Sequence, residues 1–203
     1  MTSLVTFEGT DYTGKTETAK LVVDILSRNH SDIRYNSGIL HPCRTSEQLE
    51  TMAREADSQQ KELLYTMAFL MDAELDAYIG RGVLVVQDRY WPSVVAWGRF
   101  LNEERSIHRV MDKNQLFLQP VATIHLTCSY KEKAKRFEKR EFRSPLDKAL
   151  MSDPLKMSTL EDEISTVLRG LSNVKLIDTT DLSQEETADE VIRFLRGNHL
   201  VNL

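Results

Sequence analysis

Short apolar runs alternate along the chain with longer stretches in which apolar residues recur every three or four positions. The run Leu4 to Glu8 predicts a buried strand, and Lys15 to Arg28 predicts a helix with Ala19, Val22, Val23 and Leu26 on one face. Ile33 to Asn36 predicts a weaker strand, and helical patterns follow over Ser46 to Ala56 and Glu62 to Gly80. Val83 to Gln87 and Ala122 to Thr127 are strongly apolar and predict two more strands. Tyr130 to Glu141 and Ser158 to Leu171 predict helices, Val174 to Asp178 the last strand and Ser183 to Arg196 the last helix. Ser129 with Glu132, Ser158 with Glu161 and Ser183 with Glu186 carry the spacing of a capping box, which satisfies free N–H groups at a helix start.

Strands that alternate with helices need crossover connections, and these give a parallel sheet covered on both faces. The expected fold is therefore α/β, a five-stranded parallel sheet with helices on both faces. No internal repeat or linker interrupts the 203 residues, so a single domain is expected. Ligands bind such sheets at the carboxyl ends of the strands. That brings together the loops after Glu8, Gln87 and Asp178.

The first of these loops carries chemistry. Gly9-Thr10-Asp11-Tyr12-Thr13-Gly14-Lys15-Thr16 matches the pattern G-x-x-x-x-G-K-S/T in full, between a predicted strand and a predicted helix. The glycines let the backbone curl so that its N–H groups point at phosphate oxygens. Lys15 is placed to reach the β- and γ-phosphates, and the Thr16 hydroxyl to ligate Mg²⁺. The helix start adds a positive end to the same anion site. Glu17, in its first turn, is counted with the nucleotide-binding segment. Chance would produce the four fixed positions in about one such chain in a hundred. The chain is thus expected to bind a nucleoside triphosphate and to phosphorylate a small molecule with it.

Composition narrows the partners. The net charge is −5, which disfavours a nucleic acid polymer as ligand. Cys43 and Cys128 form no CxxC pair and are expected to be reduced thiols. No charged segment followed by an apolar run opens the chain, and no stretch approaches the ~18 apolar residues of a membrane span. No membrane partner and a cytoplasmic location are expected.

A second motif, Asp88-Arg89-Tyr90, follows the strand Val83 to Gln87. A carboxylate there can hold the water shell of Mg²⁺. Arg89 can clamp an acceptor phosphate with its forked donors. Asp11, a carboxylate inside a phosphate loop, is expected to point away from the nucleotide, towards an acceptor hydroxyl or a backbone cap. Further on, Arg136 and Arg140 share a helix face, and Arg143 lies beyond them before Ser144-Pro145. Residues from about 136 to 154 are expected to form a mobile lid whose arginines stabilise charge on the transferring phosphoryl group.

These residues resemble the thymidylate kinase family of P-loop nucleoside monophosphate kinases. Phe7-Glu8-Gly9-Thr10-Asp11 running into Gly14-Lys15-Thr16 is similar to its opening motif. Asp88-Arg89-Tyr90 with Ser93 and Ala96, and Gly82 six residues ahead of Asp88, is similar to its second. The resemblance implies a P-loop kinase fold, ATP and Mg²⁺, a thymidylate-like monophosphate acceptor and a homodimer. It implies that Asp11 binds the acceptor sugar and Arg89 its phosphate. Tyr12 occupies a loop position where some members carry arginine, which implies a catalytic arginine from the lid.

The acceptor motif departs from the family. Leu40-His41-Pro42-Cys43-Arg44-Thr45 has leucine where an arginine is expected, so Arg44 is the substitute candidate. Leu64 to Asp72 contains no arginine, and Tyr65 or Phe69 is the candidate to stack on a base. Two other readings stay open: a P-loop kinase of a nucleoside or specialised metabolite, and a nucleotide-hydrolysing switch or binding protein. The arginine-rich lid and the absence of an Asn-Lys-x-Asp sequence argue against the switch.

Overall fold

The computed structural model describes residues 3–29, 32–37, 51–52, 64, 82–101, 118–141 and 143–199. The expected helices Ser46 to Ala56 and Glu62 to Gly80 lie outside them, apart from Thr51, Met52 and Leu64, which are helical. The candidates Arg44, Tyr65 and Phe69 also lie outside the described residues.

Five strands form one sheet: β1 (Ser3–Glu8), β2 (Ile33–Ser37), β3 (Leu84–Asp88), β4 (Ala122–Thr127) and β5 (Val174–Asp178). Their order is β2-β3-β1-β4-β5, and every neighbouring pair is parallel. The chain leaves β1 towards β2 on one side and leaves β4 towards β5 on the other. The topological switch point, where such sheets bind ligands, therefore falls between β1 and β4.

Side chains alternate across the sheet with a period of two. Val5 and Phe7 of β1 and Ala122, Ile124 and Leu126 of β4 pack on α1 (Lys15–Ser27) and on a C-terminal helix, Gln184–Gly197, through Ala19, Val22, Val191 and Leu195. Leu4 faces the opposite layer. There α2 (Trp91–Phe100), α3 (Tyr130–Lys139), α4 (Pro145–Met151) and α5 (Pro154–Leu168) pack through Tyr90, Val95, Leu160 and Ile164. The C-terminal helix is accordingly α6. Along β1 this second face runs Leu4, Thr6, Glu8, all buried. It is apolar at the bottom, hydroxyl in the middle, where Thr6 and Thr123 share a 2.9 Å hydrogen bond, and carboxylate at the top. The strand thus carries its core at one end and part of the site at the other.

Several helix starts differ from the sequence expectation. Helix α5 begins at Pro154, capped by Asp153, whose carboxylate accepts from the N–H groups of Leu155 and Lys156 at 3.1 and 3.2 Å. Ser158 lies inside it and caps nothing. Ser129 caps α3, but the Glu132 carboxylate turns to Lys135 and Arg136, so that box is half formed. The Ser183–Glu186 box is complete, and a second complete box, Ser144–Asp147, opens α4. Helices α2 and α4 were not anticipated. Pro92, Pro145 and Pro154 all occupy first turns, where the missing N–H costs nothing. The segment 136–154, expected as a mobile lid, holds the end of α3, all of α4 and the start of α5.

Candidate active site

Residues 9–14 form a loop between β1 and α1 held by local constraints. Gly9 has φ of +141°, and a Cβ there would lie 2.2 Å from the Leu126 carbonyl oxygen, so the loop can press on β4 only as glycine. Gly14, at φ +91°, is the N-cap of α1, and no side chain caps that helix. Tyr12 sits at φ +67°, a strained conformation for a residue with a side chain. Lys15 is 5% exposed and donates to the Thr10 carbonyl at 2.6 Å, an acceptor it shares with the Thr13 hydroxyl at 3.0 Å. Burial, then Arg89, lowers the Lys15 ammonium to about 8 against the opposing pull of Asp11, Asp88 and Glu8. Glu17 is exposed in the first turn of α1.

Asp88 ends β3 beside the loop. The Thr16 hydroxyl donates to its Oδ2 at 2.5 Å and the Tyr35 hydroxyl at 3.4 Å. Its Oδ1 is buried without a hydrogen-bond partner. A hydroxyl, a carboxylate and a buried oxygen lacking a donor fit a hard divalent cation. Among the described residues no three His, Cys, Asp or Glu side chains cluster, so phosphate and water would supply the other ligands.

Arg89 stands at φ +66°, the second strained residue of the site. Its guanidinium pairs with Asp11 at 2.7 Å and also donates to the Gly9 carbonyl at 3.1 Å and the Ser93 hydroxyl at 3.4 Å. Burial alone would raise the Asp11 carboxyl, but Arg89, Lys15 and Arg140 together hold it at about 2. Asp11 therefore meets Arg89 rather than a backbone cap. Glu8, fully buried, accepts from the Tyr90 N–H at 2.9 Å and from the Ser93 hydroxyl. Burial lifts its carboxyl to about 7, although Ser93, Arg89, Tyr90 N–H and Lys15 all oppose the rise.

The three arginines expected in a lid divide. Arg136 donates to the carbonyls of Tyr12 at 3.1 Å and Thr179 at 2.8 Å, and meets Glu132 at 3.3 Å. Thr179 in turn donates to the Thr13 carbonyl at 3.0 Å, so the end of β5 and α3 grip the loop from one side. Arg143 turns back on its own helix, to the carbonyls of Phe137 at 2.9 Å and Arg140 at 3.1 Å. Arg140 lies 5.6 Å from the centre of the Tyr12 ring, which itself packs edge-on to Phe137 at 5.4 Å. Two residues take roles that the sequence reading missed: Lys133, and Glu161, expected to cap a helix with Ser158. They form an ion pair behind the loop, and the burial of Lys133 is masked by a helix charged almost throughout. The phase of Tyr130, Ala134 and Phe137, which all face the core, places Lys133 on the same side and was the available signal.

The parallel sheet, the switch-point glycine loop and the charged groups around it define a P-loop phosphotransferase. A thymidylate kinase family model matches residues 7–191, and the chain belongs to that family. It is a nucleotide kinase, transferring a phosphoryl group from ATP to a nucleoside monophosphate. The fold is similar to that of thymidylate kinase from Candida albicans, with a TM-score of 0.71 and 14% identity over 98% of this chain and 92% of that one. It is also similar to thymidylate kinase from Ehrlichia chaffeensis, with a TM-score of 0.68 and 17% identity over 96% of this chain and 98% of that one. No match was found among curated protein sequences. No helix among the described residues is long and apolar enough to cross a membrane.

Proposed function

We propose that the acceptor is a thymidylate-like nucleoside monophosphate and that its phosphate is held by Arg89. The observation that carries this is the strained Arg89, aimed by Asp11 and the Gly9 carbonyl at the β3 side of the phosphate loop. A forked guanidinium fixed in that place is suited to a phosphate dianion. Asp11 orients Arg89 and is close enough to the same pocket to accept from an acceptor hydroxyl. Arg44, Tyr65 and Phe69 remain candidates for the rest of the acceptor pocket.

On the donor side, the loop N–H groups and Lys15 take the β- and γ-phosphates. Lys15 keeps one donor on the Thr10 carbonyl and turns its other two to phosphate oxygens. Thr16 and Asp88 would hold Mg²⁺, whose charge offsets that of the phosphates. An oxygen of the acceptor phosphate attacks the γ-phosphorus, the bond to the ADP oxygen breaks, and ADP leaves with that electron pair. The attacking oxygen is already ionised at neutral pH, so no general base is required. Glu8, enclosed by Ser93 and the Tyr90 N–H, ties the ends of β1 and β3 together instead. Of the three lid arginines, Arg140 is the one to reach the transferring group. Arg136 and Arg143 are occupied by backbone carbonyls, whereas Arg140 rests on a ring beside Asp11.

The test is an acceptor screen that follows ATP consumption. Thymidine monophosphate is expected to be turned over ahead of other monophosphates. Turnover of nucleosides or unphosphorylated metabolites in its place would overturn the assignment. A homodimer, implied by the family resemblance, is checked by analytical ultracentrifugation.

A further inference from the structure

Behind the phosphate loop lies an ion pair that the chemistry above leaves unused. Lys133, on α3, is wholly buried, and its ammonium donates to Oε1 of Glu161 on α5. The same oxygen accepts the Thr10 hydroxyl at 3.3 Å. Thr10 is 1% exposed, and its carbonyl is the acceptor on which the Lys15 ammonium rests at 2.6 Å. Lys133, Glu161, Thr10 and Lys15 thus form a continuous chain of polar contacts. It links the helix before α4, the helix after α4 and the phosphate loop.

An ion pair with a buried ammonium is a poor source of stability, because desolvation largely cancels the attraction and an apolar residue serves as well. Helix α3 presents Tyr130, Ala134 and Phe137 to the same core, and an apolar residue at position 133 would continue that face. What an ammonium supplies there is a fixed point for one carboxylate oxygen. That oxygen fixes the Thr10 side chain, and Thr10 then fixes the carbonyl against which Lys15 is aimed.

We infer that Lys133 and Glu161 are positioning residues for the donor triphosphate, acting on Lys15 through Thr10. The same contact clamps both roots of the lid, α3 and α5, to the phosphate loop. This rests on the assignment of the loop as the triphosphate site.

The experiment is a double-mutant cycle with Lys133→Met and Thr10→Val, two changes that keep volume and remove the polar link. Kinetics are measured with ATP varied at saturating acceptor and then the reverse. Binding of a non-hydrolysable ATP analogue is measured by calorimetry, and folding by thermal melting. Each single variant is expected to raise the KM for ATP and the analogue Kd about tenfold. The acceptor KM should stay within about twofold, and the double variant should be no worse than the poorer single. Should Lys133→Met fail to fold, Glu161→Gln takes its place in the same cycle. Effects that multiply in the double variant would overturn the inference, as would equal losses for both substrates or unchanged analogue binding in a folded variant. Absence of analogue binding by the unaltered protein would instead sink the loop assignment, and this inference with it.

Discussion

The two flanks of the phosphate loop are held by different chemistry. On the β3 flank, Glu8, Asp11, Arg89 and Ser93 meet side chain to side chain, with the charges paired at short range. On the β5 flank, Arg136 and Thr179 bind backbone carbonyls, and Arg140 rests on the Tyr12 ring. Fixed charges shape a pocket before the ligand arrives, as recognition of one acceptor requires. Carbonyl and ring contacts hold the loop while leaving an arginine to be redirected, as a lid that closes over phosphates requires. The loop between them is common to both tasks.

The largest effect is expected at that common element. Lys15→Ala removes the buried cation of the loop and should lower kcat/KM for ATP about a thousandfold. Steady-state turnover near the unaltered rate would mean that the flanks, and not the loop, carry the electrostatics. The next effect belongs to the β3 flank alone. Arg89→Lys keeps the charge and loses the fork, so the acceptor KM should rise about a hundredfold while the KM for ATP stays within about twofold. Equal changes in both constants would erase the distinction between the flanks.

A smaller effect separates the arginines of the lid. Arg140→Met should lower kcat about thirtyfold with little change in either KM, because the contact exists only as charge develops. Arg143→Met should leave kcat within about twofold, since its donors serve the carbonyls at the end of α3. If single-turnover rates ranked the two the other way, the lid would have to rearrange more than this geometry implies.

The parts that were legible in the sequence share a cause. The phosphate loop, β1, β3 and the capping box of α6 are specified by neighbours in the chain, so pattern and motif suffice. Helix α2 was not legible because Trp91, Pro92, Ser93, Val95, Ala96 and Gly98 are all buried, which leaves little polar contrast to reveal a period. Its proline, like Pro145 and Pro154, resembles a breaker and is a first-turn residue. The fates of Arg136, Arg140 and Glu161 depend on partners 28 to 151 residues away, which no local pattern encodes. Spacing predicts one shared helix face for the two arginines, but the helix stops at Lys139 and Arg140 is extended, so Arg136 goes to the Thr179 carbonyl and Arg140 to the Tyr12 ring.

Glu8 promises the least effect on turnover and tests the β3 flank through pH. Its carboxyl titrates at about 7 in the fold and at the ordinary 4.5 when free of it. Between those values the folded state holds a proton that the unfolded chain has lost. Stability from this group is therefore greatest below 4.5, falls as pH rises towards 7, and is level above. The full interval corresponds to about 3 kcal/mol. Glu8→Gln keeps an oxygen for the Tyr90 N–H and turns an amide N–H to the Ser93 hydroxyl oxygen, but cannot titrate. Urea denaturation at a series of pH values should show the variant gaining on the unaltered protein from about pH 5 to about pH 7 and then holding a constant lead. Turnover should stay within about threefold, because Glu8 touches neither phosphate. A stability difference flat across that interval would mean that Glu8 is ionised throughout. Arg89 would then be shared between two carboxylates, Glu8 and Asp11, and less of its charge would be left for an acceptor phosphate than the pairing with Asp11 alone implies.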